Sequence, residues 1–392
     1  MTNDSTITDG PWIPPSDVDT GQVVSDGVVF PAWRGEADKP SSPPPAPWPH
    51  ERRVGFAVVG LGRLTLEEIL PAFRACLHAR VVALVSGTPH KLETVAHQYG
   101  VPPSACYDYA SFDRVIDDPA IEAVYIVLPN AMHHEFVLRA ARAGKHVLCE
   151  KPMANTVEEA QDMVAACERA AVKLMIAYRC QYEPHHLEAR RFVREGTFGK
   201  LKGLTAVNTQ TVAKDGQRQW RHKLAMAGGG VLPDIGLYCL NAARFLAGEE
   251  PCEVFAQSVT PAGDPRFAEV EETVSFMLRF PSGFIANAFS SYGAREDKAQ
   301  RLSFERATVD MPNAYAYTGQ QLVIGERCGD DSQQRVVQRA LKSQFAAEID
   351  HMAQCVREDR TPHTPGEEGV RDQKIMAAIY ASAQSHRPIK LD

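Results

Sequence analysis

The sequence predicts an α/β protein with a doubly wound parallel sheet first and an α+β domain second, the latter built on a large open, mostly antiparallel sheet. Three observations carry this expectation. From Val54 to Ala177, short apolar runs alternate with helix-patterned stretches, the rhythm of a parallel sheet with helical crossovers. Beyond that, strand-like runs at 205–212, 273–278 and 284–289 have few helices between them. Finally, 392 residues are too many for one ordinary core, so two domains are the prior.

In order, Gly55-Phe56-Ala57-Val58-Val59 is a short apolar strand, Gly60-Leu61-Gly62 a turn, and a helix-like stretch runs through Ile69 to Leu77. Residues 80–85 make a second strand, 91–99 a helix, 123–128 a strand, and 133–143 a helix closed by Gly144. The apolar run Val147-Leu148-Cys149 is a buried strand from which Glu150-Lys151 emerges, and Pro152 stops it. A helix over 158–171 and a strand over 173–177 complete the first half. Pro281-Ser282-Gly283 reads as a hairpin turn, and helices near 345–356 and 370–382 close the chain. The expected divisions are an extended Pro-rich arm (1–53), a nucleotide-binding domain (54–177) and a substrate-binding and oligomerisation domain (178–392).

The arm is rich in proline, with six prolines from Pro40 to Pro49 favouring extended polyproline II. A disordered leader is one reading. Trp12, Phe30, Trp33 and Trp48 are unusual in disordered segments and favour an arm that packs on something, such as another subunit.

A hydrophobic content of 44% and a charged content of 23% are those of a soluble globular protein. The net charge of −7 argues against a nucleic-acid partner, which needs a basic face. No apolar run approaches the roughly 20 residues that span a bilayer. Met1-Thr2-Asn3-Asp4-Ser5 is not a signal-peptide start. Arg52-Arg53 lies far from the start, and Arg63, Glu67 and Glu68 break the apolar stretch after it, so a twin-arginine signal is rejected and a cytoplasmic location expected. The nine scattered cysteines hold no Cys-x-x-Cys pair and suit reduced thiols. Cys149, Cys180 and Cys239 read as small core residues. Neighbouring residues on a helix point in different directions, so neither His133-His134 nor His185-His186 makes a chelating face. No metal site is expected.

Gly60-Leu61-Gly62 follows a strand and opens a helix, the context of a dinucleotide turn in a Rossmann-type sheet. Glycines let the backbone approach a pyrophosphate, and the helix N-terminus supplies aimed N–H groups. Thr65 stands where the third glycine of that fingerprint would be. An NAD site would offer Asp or Glu at the end of the second strand for the ribose 2′-hydroxyl. This chain has Ser86-Gly87 there, with Lys91 and Arg63 nearby. That suits a 2′-phosphate, so NADP is preferred. The alternative is that Lys91 and Arg63 are solvated surface charges.

Lys151 sits where ligands bind in open parallel sheets, just beyond the carboxyl end of a strand. In Gly228-Gly229-Gly230-Val231-Leu232-Pro233-Asp234-Ile235-Gly236-Leu237-Tyr238 a flexible turn leads into a helix, and Asp234 and Tyr238 share one helical face. Oxidising an alcohol carbon needs a group that takes the hydroxyl proton. Tyrosine has an ordinary pKa of about 10, which a nearby ammonium lowers, and Lys151 could be that ammonium. The alternative is a core tyrosine beside an N-cap aspartate.

The glycine turn, Glu150-Lys151-Pro152 and Asp234-x-Gly236 occur in an order and spacing that resembles the Gfo/Idh/MocA oxidoreductase family, and within it the glucose–fructose and aldose–aldose oxidoreductase branch. The likeness runs from about Gly55 to the C-terminus. It passes through Ala83–Gly87, Leu128-Pro129-Asn130, Tyr178-Arg179-Cys180, Gln219-Trp220-Arg221 and Pro365–Gly369. The resemblance implies a catalytic group of Lys151, Asp234 and Tyr238. It implies a 2′-phosphate site at Ser86 and Lys91, with Arg63 in place of a lysine usual there, and a nicotinamide side lined by Pro129, Asn130 and His133. Trp220 and Arg221 would clasp the cofactor from the second domain. Leu61, Leu64, Gly87, Tyr109, Leu128, Glu150, Lys151 and Arg179 complete the implied cofactor set, and Tyr178 and Arg179 join the catalytic group around the substrate. Many relatives carry histidine where Tyr238 stands. In that branch a proline-rich arm covers a neighbouring subunit's cofactor; the longer, Trp-bearing leader here departs from it.

The expected activity is therefore an NADP-dependent sugar oxidoreductase with a tightly bound cofactor, working in a ping-pong cycle. A cyclic aldose would lose the C1 hydride to give an aldonolactone, and a second sugar would take it back to give an alditol. The rivals are a dehydrogenase that releases NADPH each turnover and a non-catalytic NADP-binding sensor. A homodimer or homotetramer with exchanged arms is expected, since an open sheet face needs covering. The loops Gln181–His186 and Tyr292–Asp297 are expected to discriminate between sugars.

Overall fold

A computed structural model describes residues 22–24, 27–29, 46–339 and 343–391. The chain divides into a short N-terminal unit, Met1–Trp48, and a main unit, Pro49–Asp392. In the first, β1 (Gln22–Val24) and β2 (Gly27–Val29) pair antiparallel with Val23 opposite Val28. Trp12, Phe30, Trp33 and prolines 40–45 of the expected arm lie outside the described residues.

The main unit opens with six parallel strands: β3 (Val54–Val59), β4 (Ala79–Val85), β5 (Cys106–Tyr107), β6 (Ala123–Ile126), β7 (His146–Glu150) and β8 (Leu174–Ala177), in the order β5-β4-β3-β6-β7-β8. Every residue of β3 and β6 is buried. Both faces of a parallel sheet are covered, which is why these strands read as continuous apolar runs rather than alternating ones. The chain moves outward from β3 to β4 and β5, then returns to β6 on the other side. This reversal creates a crevice beyond the carboxyl ends of β3 and β6.

The helices between these strands are α1 (Leu70–Phe73), α2 (Pro89–Tyr99), α3 (His133–Arg142) and α4 (Val157–Arg169). The first departs from expectation: Thr65–Ile69 is a π-helical turn, and the helix ends at Phe73 rather than near Leu77. α4 starts on a capping box, with the Glu159 N–H donating to Thr156 Oγ1 and the Thr156 N–H to Glu159 Oε2.

The second sheet has nine strands: β9 (Leu201–Thr209), β10 (Glu253–Val259), β11 (Thr273–Arg279), β12 (Ile285–Ser291), β13 (Asp297–Phe304), β14 (Ala307–Met311), β15 (Leu322–Cys328), β16 (Asp331–Val337) and β17 (Ile389–Lys390). Their order is β16-β15-β14-β13-β9-β12-β11-β10-β17, antiparallel except where β9 meets β12. The expected hairpin at Pro281–Gly283 joins β11 to β12, with Arg279 opposite Ile285 and Gly283 at φ +85°. Buried and exposed residues alternate along β12, which leaves Ile285 and Phe289 uncovered on one face. The helices of this half are α5 (Pro184–Glu195), α6 (Leu224–Ala227), α7 (Leu237–Ala247), α8 (Gln344–Arg357) and α9 (Gly366–Ser385). α7 and α9 pack on the nine-stranded sheet, whereas α8 turns back onto β3, β4 and β7 of the first. Among the described residues no helix is long and apolar enough to cross a membrane.

Candidate active site

The crevice is built first by the glycine turn. Gly60 has φ +96°, and a Cβ there would come within 2.2 Å of the Val127 carbonyl oxygen, so only glycine fits. Gly62 has open space around it, which leaves the backbone accessible as a phosphate cradle requires. Thr65 stands at the missing third glycine for a reason: its buried hydroxyl donates to the Gly60 carbonyl at 2.6 Å, tying the turn to the helix it opens. At the end of β4, Ser86 is buried and its Oγ accepts from the Thr88 N–H at 3.3 Å. A Cβ on Gly87 would strike the Tyr109 ring at 2.8 Å. Arg63 is exposed and paired with Glu67 at 3.1 Å, and Lys91 is half-buried on α2. Leu61 and Leu128 are buried, with Leu64 and Pro129 half-buried. The exposed glycine backbone, the cations and the strand end without a carboxylate fit a phosphorylated dinucleotide.

Beyond β7 lies the second cluster. Lys151 Nζ donates to the Asp234 backbone carbonyl at 2.6 Å, stands 3.6 Å from Asp234 Oδ1, and sits 4.6 Å from the Tyr238 ring centroid. Asp234 lies on a π-helical turn, Leu232–Gly236, that runs directly into α7 with Tyr238 one turn on. Burial alone would raise the Asp234 carboxyl. Arg221, Lys151 and the Tyr292 hydroxyl more than offset it and hold the group at about 2. The Tyr292 hydroxyl donates to Asp234 Oδ2 at 2.6 Å, and Arg221 Nε lies 3.4 Å from the same oxygen. Arg221 also lies over the Trp220 ring at 4.4 Å. The buried Glu271 carboxylate holds the start of this helix by accepting the Gly230 and Leu232 N–H groups at 2.9 Å each.

Arg179 is the largest surprise. Its buried guanidinium donates from Nε to Tyr238 Oη at 3.2 Å, and from the other nitrogens to Gln344 Oε1 and to the Tyr315 and Ala316 carbonyls. The cation on the phenol oxygen is thus Arg179, while Lys151 faces the ring. Burial pushes the Tyr238 phenol well above the ordinary tyrosine value, with Arg179 opposing it. An acidic tyrosine held by Lys151, as the sequence suggests, is not what the geometry gives.

Four further residues do not point where the resemblance implies. The Tyr178 hydroxyl bonds the Asp372 side chain, in the network around Arg244, rather than joining Lys151. His133 is fully buried, with Nδ1 2.9 Å from the Pro152 carbonyl and Nε2 2.9 Å from the Leu128 carbonyl. It braces two strand ends from behind the crevice. Glu150 points inward and accepts from the Tyr125 hydroxyl at 2.8 Å. Asn130, also buried, donates to the Ala227 carbonyl at 2.8 Å. Of the two loops expected to read the sugar, Gln181–His186 is largely internal: Gln181, Glu183, His185 and His186 are buried. The two histidines bond the Glu183 carboxylate that caps α5. Among the described residues, no cluster of three or more His, Cys, Asp or Glu could hold a metal ion.

Sequence reasoning missed Tyr317 and Gln344 altogether, and gave Tyr292 only as part of a loop. Tyr292 carried a local signal, since it directly follows β12 and stands beside the glycine of Gly293. Gln344 carried none.

Known proteins resemble this chain along most of its length. Residues 54–178 match an oxidoreductase family with an NAD-binding Rossmann fold, and residues 186–309 match the GFO/IDH/MocA C-terminal domain. A D-xylose 1-dehydrogenase [NADP(+)] of Haloarcula marismortui is 31% identical over 86% of this chain and 93% of its own length. A D-xylose 1-dehydrogenase (NADP(+)) of Haloferax volcanii is 29% identical over 86% and 99%. The crystal structure of an aldose-aldose oxidoreductase from Caulobacter crescentus, complexed with glycerol, superposes with a TM-score of 0.83 at 44% identity, covering 87% of this chain and 100% of that one. The chain belongs to the Gfo/Idh/MocA oxidoreductase family.

Proposed function

We propose that the protein is an NADP-dependent sugar oxidoreductase that retains its cofactor, oxidising a cyclic aldose at C1 to an aldonolactone and reducing a second sugar to an alditol. The observation that carries this reading is the convergence of Lys151, Asp234 and Tyr238 at the carboxyl end of β7, in the same parallel sheet as the strand that leads into the glycine turn. The 44% identity to an aldose-aldose oxidoreductase supports the two-sugar cycle. Ser86 and Gly87 at the end of β4, with Lys91 and Arg63 nearby, would hold the 2′-phosphate. The nicotinamide, when bound, supplies the hydride acceptor.

The chain's own residues then have distinct tasks. Lys151 orients the C1 hydroxyl through its ammonium donors. Asp234, ionised at neutral pH, anchors both Lys151 and the sugar. Tyr238 takes the hydroxyl proton, which requires its phenolate form. Arg179 stabilises that form by donating to the oxygen on which the charge develops.

The two D-xylose 1-dehydrogenase relatives favour a second reading, a dehydrogenase that releases NADPH each turnover. One measurement separates them: the nicotinamide absorbance of protein purified with no cofactor added. Under the proposal, nicotinamide copurifies and switches between oxidised and reduced forms as sugars are supplied. Protein that arrives empty but turns over added NADP is the ordinary dehydrogenase. Cofactor that binds and responds to no sugar would mean a sensor.

A further inference from the structure

We infer that Tyr317 determines sugar specificity, its ring serving as a platform for the apolar face of a pyranose presented to Lys151 and Tyr238. The inference rests on the sugar reading above and deepens it. Tyr317 lies in the loop between β14 and β15 and is 45% exposed, next to the 2% exposed Tyr315. A single exposed aromatic is ordinary on a protein surface. This one is distinguished by what fixes it and by what it borders.

The backbone beneath the ring is pinned residue by residue. Arg179 donates to the Tyr315 carbonyl at 2.7 Å and to the Ala316 carbonyl at 3.2 Å. Gln344 donates to the Ala316 carbonyl at 3.1 Å and to the Tyr317 carbonyl at 2.9 Å. The ring itself is backed by the Arg179 guanidinium, 4.6 Å from its centroid, and by Phe345 in an edge contact at 5.3 Å. The same guanidinium lies 4.7 Å from the Tyr238 ring centroid, so one buried cation links the exposed ring to the proposed proton acceptor. Tyr317 also borders Lys151 and Arg221 electrostatically. Its surroundings are thus the site's polar groups, with 45% of the residue left exposed.

A pyranose has the complementary chemistry. Its ring C–H bonds carry small positive charge and gather on one face, whereas an aromatic face is negative. Hydroxyls around the sugar's edge would meet Lys151, Asp234 and Arg221. Epimers differ in whether a C–H or an axial hydroxyl faces the platform, and a hydroxyl pressed on an aromatic face loses its water without gaining a partner. In the loop Gln181–His186, by contrast, Gln181, Glu183, His185 and His186 are buried.

The test compares holoenzyme variants Tyr317→Ala, Tyr317→Leu and Tyr317→Phe. For each, KM is measured for a cyclic aldose, for its epimer, and for a short acyclic aldehyde in the reductive half-reaction. Tyr317→Ala and Tyr317→Leu are expected to raise the ratio of the cyclic to the acyclic KM about tenfold and to narrow the preference between epimers. Tyr317→Phe is expected to restore both. Tyr317→Leu still covers Phe345, so a defect shared by Ala and Leu but rescued by Phe reports the ring rather than misfolding. An unchanged ratio in a wild-type background that turns over aldoses overturns the platform alone. Loss of bound nicotinamide with the sugar ratio intact also overturns it, assigning the ring to the cofactor. A wild-type protein that oxidises no aldose removes the sugar reading and the platform together.

Discussion

Arg179 Nε donates to Tyr238 Oη at 3.2 Å from a guanidinium whose other hydrogen bonds run to neutral acceptors: the Gln344 amide, two backbone carbonyls and the Cys180 thiol. Its positive charge is therefore directed at the phenol rather than quenched by a bonded carboxylate. Tyr238 stands above the ordinary tyrosine value through burial, and Arg179 is the leading influence lowering it. Removing Arg179 pushes the phenol higher still, so activity that needs the phenolate demands more alkaline conditions. Arg179→Gln should lower kcat about 100-fold, the cost of one lost donor to a developing oxyanion. It should also shift the rising limb of the kcat/KM–pH profile to higher pH. A loss of rate with an unmoved profile would reduce Arg179 to a packing residue.

Tyr292 is the counterpart at Asp234. Its hydroxyl donates to Oδ2 at 2.6 Å inside a buried site, and a hydrogen bond to a charged group contributes about 1.5–3 kcal/mol. Tyr292→Phe should therefore lower the melting temperature modestly and raise the Asp234 carboxyl from about 2. The acid limb of the rate profile should rise with it, because Asp234 must stay ionised to anchor Lys151. Lys151 and Arg221 still flank the carboxylate, so activity should fall rather than vanish.

The contrast between these two tyrosines explains what the sequence could reveal. The glycine turn, the Lys151 strand end and the Asp234–Tyr238 face were legible because each is local: a strand, a turn and a helical spacing fix them. The parallel, doubly wound sheet followed from the alternation of elements. The direction of a side chain at a strand end did not. Tyr178 and Arg179 are adjacent, yet one phenol joins Asp372 and the neighbouring guanidinium joins Tyr238. Gln344 meets Arg179 across 165 positions, and no local pattern encodes that. The resemblance made His133 a cofactor contact, but its burial and its two carbonyl partners make it a brace.

Thr65 departs from the glycine fingerprint, and its hydrogen bond to the Gly60 carbonyl is buried. Thr65→Gly completes the fingerprint while removing the latch and adding backbone freedom. Thr65→Val keeps the shape and leaves the carbonyl without its hydroxyl partner. Both should destabilise the protein by about 1–3 kcal/mol and weaken nicotinamide retention, read by denaturant titration and by absorbance after dialysis. A Thr65→Gly protein holding its cofactor more tightly would mean the latch is dispensable.

Arg244 is buried against Asp372 at 2.5 Å, Glu368 at 3.0 Å and Glu250 at 2.6 Å. Arg244→Met strands these carboxylates, which for a buried pair costs about 3–5 kcal/mol. The loss should depend on pH. Burial already raises the Asp372 carboxyl to about 6, with Arg244 opposing it, so without Arg244 its folded value climbs further. A raised carboxyl makes the folded state favour the proton, and stability falls as pH rises from the unfolded value through the folded one. Thermal melts should show a larger deficit for the variant at pH 8 than at pH 5. Equal deficits would mean that the carboxylates find other partners.

The end of β4 tests the cofactor assignment directly. Ser86 is buried, its Oγ accepts from the Thr88 N–H, and Gly87 lies against the Tyr109 ring. An aspartate at position 86 would face a 2′-phosphate with like charge but would accept from a free 2′-hydroxyl. Ser86→Asp should therefore weaken NADP and strengthen NAD, changing their ratio of dissociation constants by about 100-fold or more, since like charges at close range cost several kcal/mol. Lys91→Ala, which removes a cation and adds no repulsion, should weaken NADP by about tenfold and leave NAD nearly unchanged. Titration of cofactor-stripped protein with each nucleotide measures both. If Ser86→Asp weakened the two nucleotides equally, the loss would be one of packing, and the 2′-phosphate would have to bind away from this strand end.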